Sequence, residues 1–474
     1  MWSATGSTAN DLVSRFPAHS SQDWLTRAAS AGGGIFGGGP NAFSSYENGK
    51  TPPRGFVEGQ AKAPAPSLSI FNPHVLATDP GAVHIISSME TGMTRRELGA
   101  ALAAGAAFAA DGKAAVYGGP LEGVKDRVHL EEFDPVHWTG EQYKGAPLRL
   151  TFRATNKTEA EAWQRQLRAK LTELVGGFPE RIPLRPVSLD VREFPGYRRE
   201  KLAFESRPGV GVLAYLLTPL GKQPPFAPVI CIPGHGRGAD DIVGIDEKGE
   251  SRLEKPGYQY DFAIQMVEHG LAAVAIEPMA FGCRRDPATQ AKGMNITSCE
   301  PSAGAALLLG QTMIGWRVWD VMRTIDWIET RPELASNRVG CAGISGGGTI
   351  TQFASALEPR IQAALVSGYL NTFHDSIMSM PHCIDNYVPG ILNWAENYDV
   401  ASLIAPRFYF SEGGTHDPIF PVHATRAAFA KVKRAYQVWG VPERAGQEIF
   451  EGDHVFHGVQ GLPFLVEALG RSDV

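Results

Sequence analysis

The pentapeptide Gly343-Ile344-Ser345-Gly346-Gly347 lies between a short apolar run and a helical pattern, and few backbones accommodate that combination. Val339-Gly340-Cys341-Ala342 reads as a buried strand entered from the turn Ser336-Asn337-Arg338, and Thr349 to Leu357 reads as a helix. A chain that reverses this sharply needs small residues beside the serine. The turn then leaves the hydroxyl exposed, with the positive end of a helix aimed at whatever approaches it. The chain holds 53 glycines, so the five residues alone decide little, and their surroundings must carry the assignment.

Those surroundings alternate in type. Val187–Val191, Arg199–Phe204 and Val210–Thr218 read as an antiparallel start, with Pro208-Gly209 as a turn. Apolar strands Pro228–Ile232 and Leu271–Ile276 then bracket a helix over Tyr258–Glu268. Met313 to Ile328 carries Ile314, Val318, Val321, Met322, Ile325 and Ile328 on one helical face. Ala363–Val366, Phe408–Phe410 and Glu448–Phe450 complete the strands. This is the pattern of an α/β fold, a mostly parallel central sheet flanked by helices. Residues 368–400 break the rhythm and suggest a loop-rich insertion over the sheet's C-terminal edge, where such sheets bind ligands. Ahead of the sheet, Thr158 to Leu174 spaces Ala160, Trp163, Leu167, Leu171 and Leu174 as an amphipathic helix stopped by Gly176-Gly177, with packing as its purpose.

Three further segments, each after an expected strand, supply what an activated serine needs. Pro233-Gly234-His235-Gly236-Arg237-Gly238 is a glycine turn that offers backbone N–H groups to join that of Gly346 around a developing oxyanion. Gly413-Gly414-Thr415-His416-Asp417-Pro418 places a carboxylate, Asp417, with Glu412 in reserve. As an ordinary Asp-Pro turn residue, Asp417 would do less. Glu451-Gly452-Asp453-His454-Val455-Phe456-His457 offers two imidazoles suited to moving a proton near neutrality. His454, closer to the strand end, is preferred over His457 as the base. The order serine, acid, histidine is that of one hydrolase class.

With PGHGRG, the helix GWRVWDVMRTIDWIETRPE, CAGISGGG, THDPIFP and GDHVFH in hand, the chain from Val187 to Leu469 resembles the α/β-hydrolase superfamily. The nearer likeness is to the branch of dienelactone hydrolases and bacterial acetyl xylan esterases. The resemblance implies the α/β-hydrolase fold, a Ser345–Asp417–His454 triad, and cofactor-free hydrolysis of carboxylic esters. It also implies an oxyanion N–H from Gly236 or Arg237 beside that of Gly346. Dienelactone hydrolases proper use cysteine where Ser345 stands. Trp316, Trp319 and Trp327 fall at core spacing, which leaves Trp394 in the insertion as the candidate for stacking on sugar.

Composition limits the remaining readings. A net charge of −6 leaves no basic footprint for nucleic acid, and 43% hydrophobic residues suffice for a large core. Of Cys231, Cys283, Cys299, Cys341 and Cys383, two fall in core strands. A disulfide among the other three stays open, and no Cys/His spacing suggests a metal. Residues 1–88, rich in Ser, Gly, Ala and Pro, read as a disordered extension. Residues 89–110 join Arg95-Arg96 to an alanine-rich run and Ala107-Phe108-Ala109, and resemble a twin-arginine export signal, with translation starting at Met89 or Met93. The expected organisation is a helical segment over 111–184 and a catalytic domain over 185–474. The expected protein is a periplasmic or secreted serine esterase acting on a small-molecule or carbohydrate ester, with no stable membrane insertion once the signal is cleaved. Its rivals are a serine peptidase of the prolyl-oligopeptidase type and a non-catalytic binding protein on the same scaffold.

Overall fold

The computed structural model describes residues 119–470. The expected extension over 1–88 and export signal over 89–110 lie outside the described residues. Among the described residues, no helix is long and apolar enough to cross a membrane.

The strands are β1 (Val187–Phe194), β2 (Tyr197–Arg207), β3 (Val210–Pro219), β4 (Pro228–Ile232), β5 (Ala272–Ile276), β6 (Val339–Ile344), β7 (Ile361–Ser367), β8 (Phe408–Gly414) and β9 (Ala445–Phe450). They form one sheet in the order β1-β2-β3-β5-β4-β6-β7-β8-β9. β1, β2 and β3 meander antiparallel and β3 joins β5 antiparallel, whereas every pairing from β5 to β9 is parallel. The parallel strands β4 (PVICI) and β5 (AAVAI) are buried at every position, which is why they read as continuous apolar runs. The hairpin turn between β2 and β3 needs Gly209, whose φ is +73°.

Helices cover both faces. Those of six residues or more are α1 (Pro135–Lys144), α2 (Lys157–Leu174), α3 (Phe262–Glu268), α4 (Cys299–Leu308), α5 (Met313–Ile328), α6 (Gly346–Leu357), α7 (Asn397–Ser402), α8 (Val422–Trp439) and α9 (Gly461–Gly470). Alternate residues of each strand serve opposite cores. Ile230, Val274, Cys341, Ala364 and Val366 pack with α2, α5, α6 and α8, while Val229, Ala273, Ala342 and Leu365 pack with α3 and α9. The α2 helix starts at Asn156, whose side chain accepts the Glu159 N–H, and buries Ala160, Trp163, Leu167 and Leu171. It ends where the chain must enter left-handed conformations at Gly176 and Gly177.

Several expected boundaries move, and most strands run a few residues longer than expected, such as β8 to Gly414 and β9 from Ala445. α3 begins at Phe262 rather than Tyr258, because Tyr260 and Asp261 have positive φ and cannot continue a helix backwards. β6 runs on to Ile344 and α6 starts at Gly346, so strand and helix meet at the serine with no connecting loop. The insertion over 368–400 holds only short turns and the first residues of α7.

Candidate active site

Ser345 is the single residue between β6 and α6, with φ 58° and ψ −123°. For a side chain with a Cβ this conformation costs about 1–3 kcal/mol and persists only where its surroundings impose it. They do so through glycine. A Cβ on Gly347 would lie 1.9 Å from the Ile232 carbonyl oxygen, and one on Gly343 would lie 2.5 Å from the Gly347 oxygen. The Ser345 N–H donates to the Ser367 oxygen at 3.0 Å, and its own carbonyl accepts the Thr349 N–H at 2.9 Å. The turn is therefore welded to β4 and β7, and the N-terminal end of α6 faces outward beside the hydroxyl.

The loops after β8 and β9 bring Asp417 and His454 together. Asp417 Oδ2 lies 2.7 Å from His454 Nδ1, while Asp417 Oδ1 accepts the N–H groups of Ile419 and Phe420, each at 3.0 Å. The same carboxylate thus forms the Asp-Pro turn and receives the imidazole. The His454 ring stacks with Tyr258 and with Phe420, both centroids 5.7 Å away. Its Nε2 is buried and has no hydrogen-bond partner among the described residues. Ser345, Gly346, His235, Tyr258, Phe420 and His454 line one cavity of about 360 Å³. Nothing in the sequence signalled Tyr258 as a neighbour of His454, because its place depends on Phe456 N–H donating to the Tyr258 oxygen.

His457 and Glu412 have other partners. The His457 ring stacks on Phe450 at 4.2 Å, with Nδ1 3.0 Å from Glu448 Oε1, and it is absent from the cavity lining. Glu412 is buried and accepts the N–H groups of His457 and Gly458, each at 2.9 Å. Burial raises its pKa, and its carboxyl group anchors the loop that carries His454.

The glycine turn after β4 departs from expectation at Arg237. Its N–H donates to Asp241 Oδ2 at 2.8 Å, and its guanidinium is held by Asp241 and the Ile245 oxygen. It therefore has no amide left for an oxyanion. The Gly234 N–H is likewise taken, by Gln259 Oε1 at 2.8 Å. The His235 and Gly236 amides remain, beside that of Gly346. Gly234 itself is forced, since a Cβ there would meet the Tyr258 hydroxyl at 2.2 Å and the Ser345 Cβ at 3.1 Å. Trp394 also departs from expectation. Lys170 and Arg149 cover its ring at 4.4 and 5.2 Å, and it is not in the cavity lining. The sequence showed no metal-ligand spacing, yet the fold gathers His235, Cys299, Cys383 and Asp385 with ligand-type atoms within 4.8 Å of one another.

A doubly covered, mostly parallel sheet with a strained serine at a strand-to-helix junction, and an Asp–His pair on the last two strand loops, defines the α/β-hydrolase class of enzymes. Residues 129–453 match the Abhydrolase family (Abhydrolase_7), and the chain belongs to it. It is similar to the "Putative hydrolase YtaP" of Bacillus subtilis, at 26% identity over 261 residues, 54% of this chain and 81% of that one. Among solved structures it resembles a "putative acetyl xylan esterase" from Bacteroides fragilis (TM-score 0.57, 21% identity, covering 67% of this chain and 82% of that one). It also resembles a glucuronoyl esterase from Solibacter usitatus (TM-score 0.51, 15% identity, covering 68% and 97%). At these identities the structural likenesses establish the fold.

Proposed function

We propose that this protein is an exported serine esterase in which His454, oriented by Asp417, activates Ser345 for attack on a carboxylic ester. The observation that carries this reading is the Asp417–His454 contact at 2.7 Å, which leaves His454 Nε2 unpartnered in a cavity shared with Ser345. His454 takes the Ser345 proton as the hydroxyl oxygen adds to the ester carbonyl. The Gly346 amide, with that of His235 or Gly236, stabilises the oxyanion. The alcohol leaves with the proton from His454, and a water activated by the same imidazole releases the acid from Ser345. Asp417 keeps the ring in the tautomer with Nε2 free, and Tyr258 and Phe420 stack with it.

The names of the structural relatives favour an ester on a carbohydrate, acetyl or uronoyl, over a peptide. Among the described residues no repeated β-blades precede the sheet, as they would in a prolyl-oligopeptidase. The export reading rests on residues 89–110, and sequencing the native N-terminus tests it. For the catalytic reading, the wild-type chain should cleave p-nitrophenyl acetate, and Ser345→Ala should lose roughly 10³-fold or more in kcat. Near-normal turnover by Ser345→Ala would reject the assignment.

A further inference from the structure

Beside the proposed nucleophile, one group of side chains has no part in the acyl-transfer scheme. Cys299 is the first residue of the ten-residue helix α4, and Cys383 lines the catalytic cavity next to His382. Their sulfurs, with His235 and Asp385, lie within 4.8 Å of one another. Arg317 of α5, itself buried, forks across the group. Its Nη1 donates to Asp385 Oδ2 and its Nη2 donates to Cys299 Sγ, the latter at 3.3 Å. The guanidinium is fixed from behind by the Met279 oxygen, which accepts from Nε at 3.0 Å and from Nη2 at 2.7 Å, and it lies 4.5 Å from the Phe281 ring centroid.

A thiol at a helix N-terminus beside a fixed guanidinium is the setting that favours thiolate. Cys299 Sγ also lies 3.6 Å from Asp385 Oδ2. The Cys383 thiol, then Arg317 and His235, hold Cys299 well below the ordinary thiol range, and the Cys299 sulfur pushes Cys383 up. The other cysteines lack this arrangement. Cys231 and Cys341 are sealed in β4 and β6, where burial pushes Cys341 to about 12. Cys283 is exposed. A divalent cation is a poorer occupant than a covalent bond, because the Arg317 guanidinium already sits on Asp385 and Cys299 and its positive charge would stand against a second cation.

We propose that Cys299 and Cys383 are a redox pair that a hydroperoxide closes to a disulfide in the wall of the catalytic cavity. The Cys299 thiolate attacks the peroxide, forming a sulfur–oxygen bond and breaking the oxygen–oxygen bond, and the departing hydroxide or alkoxide takes up a proton. Cys383 gives up its proton and attacks the Cys299 sulfur, which expels the hydroxyl as water. Two thiols and one hydrogen peroxide yield one disulfide and two waters, with two electrons passing from sulfur to oxygen. Closure draws Cys383 toward Cys299, and with it the segment from Pro381 to Asn386 that walls the cavity. It also removes the negative sulfur facing His235, whose ring would crowd a Cβ on Gly346 at 3.1 Å. Esterase turnover should therefore fall on oxidation and recover on reduction.

The test is hydrogen peroxide titration of the reduced full chain, quenched with catalase, blocked with N-ethylmaleimide and mapped by non-reducing peptide mass spectrometry. The Cys299–Cys383 cross-link should form first, at a peroxide level about tenfold below that which modifies Cys283. It should be absent from Cys299→Ser and Cys383→Ser, and it should reverse with dithiothreitol. Oxidation of Cys283 while the pair stays reduced would overturn the proposal, as would one equivalent of co-purified zinc that must be stripped before any cross-link forms. Turnover of p-nitrophenyl acetate should drop by roughly threefold or more in the cross-linked form. A complete cross-link with unchanged turnover would overturn the effect on catalysis. That readout alone rests on the esterase reading, so a reduced protein without esterase activity would count against that reading while the peptide map still judges the pair.

Discussion

Gly368→Ala should disable the site without unfolding the chain. Gly368 follows β7 with φ +52°, and a Cβ there would stand 2.7 Å from His454 Cε1, 3.0 Å from His454 Nδ1 and 3.7 Å from Asp417 Oδ2. Carbon atoms rest at about 3.5–4.0 Å, so the imidazole must retreat by most of an ångström. Tyr258 and Phe420 stack with the ring, and the 2.7 Å contact to Asp417 is made by the crowded Nδ1 itself, so the retreat breaks the alignment on which proton transfer depends. A misplacement of this size costs about 10²-fold, equivalent to about 2.7 kcal/mol of barrier. The left-handed backbone adds roughly 1–2 kcal/mol of instability, or a few degrees in Tm. Gly209→Ala is the matched control, since Gly209 has φ +73° with nothing within 4 Å of its added Cβ. The assay is kcat/KM on p-nitrophenyl acetate beside thermal melts of both variants. Gly368→Ala should lose activity far in excess of Gly209→Ala at similar Tm loss. Equal activity in the two variants would show that His454 is not the working base.

Three other outcomes follow. His454→Ala should lower kcat by about 10²–10⁴-fold, whereas His457→Ala should stay within about tenfold because that ring faces Glu448 and Phe450; parallel kinetics on the two variants separate them. Asp417→Asn should cut kcat by several orders of magnitude, roughly 10⁴ by the serine-protease precedent, with little change in KM, and restored turnover at alkaline pH alone would contradict a role in setting the tautomer. Glu277, buried at the end of β5 with its carboxyl group packed against Gly238 and Gly282, is raised by burial from 4.5 to about 8. The folded protein keeps a proton that the unfolded chain has already released, so stability is full below pH 4.5 and declines as pH rises towards 8. Denaturant melts of Glu277→Gln should show a gain over wild type on the order of a few kcal/mol at pH 8 and none at pH 4.

What could be read ahead of the fold was whatever chain-local physics determines. The Met313–Ile328 helix was legible to the residue because its apolar face repeats at helical spacing and Thr312 caps it through the Gly315 N–H. β4 was legible because a strand buried on both faces has no polar residue to blur its ends. α8 escaped notice, although Ala424, Thr425, Ala428, Val432, Ala435 and Tyr436 recur on one face at helical spacing. The same division holds in the site. Ser345, Asp417 and His454 could be named from strand ends and chain order. Arg237 could not be judged, because Asp241 takes its amide only once the turn has folded. Trp394 looked available until Lys170 and Arg149 closed over its ring. The Cys299–Cys383 neighbourhood depends on α4 and the insertion meeting across Arg317, which no spacing records.

The central claim is that Ser345 is the activated nucleophile, and stoichiometric labelling with a fluorophosphonate followed by peptide mass spectrometry tests it most directly. One adduct per chain on Ser345, lost in His454→Ala and kept in His457→Ala, is the predicted result. An unlabelled Ser345 in folded, ester-cleaving protein, or an adduct on another side chain that tracks activity, would contradict it.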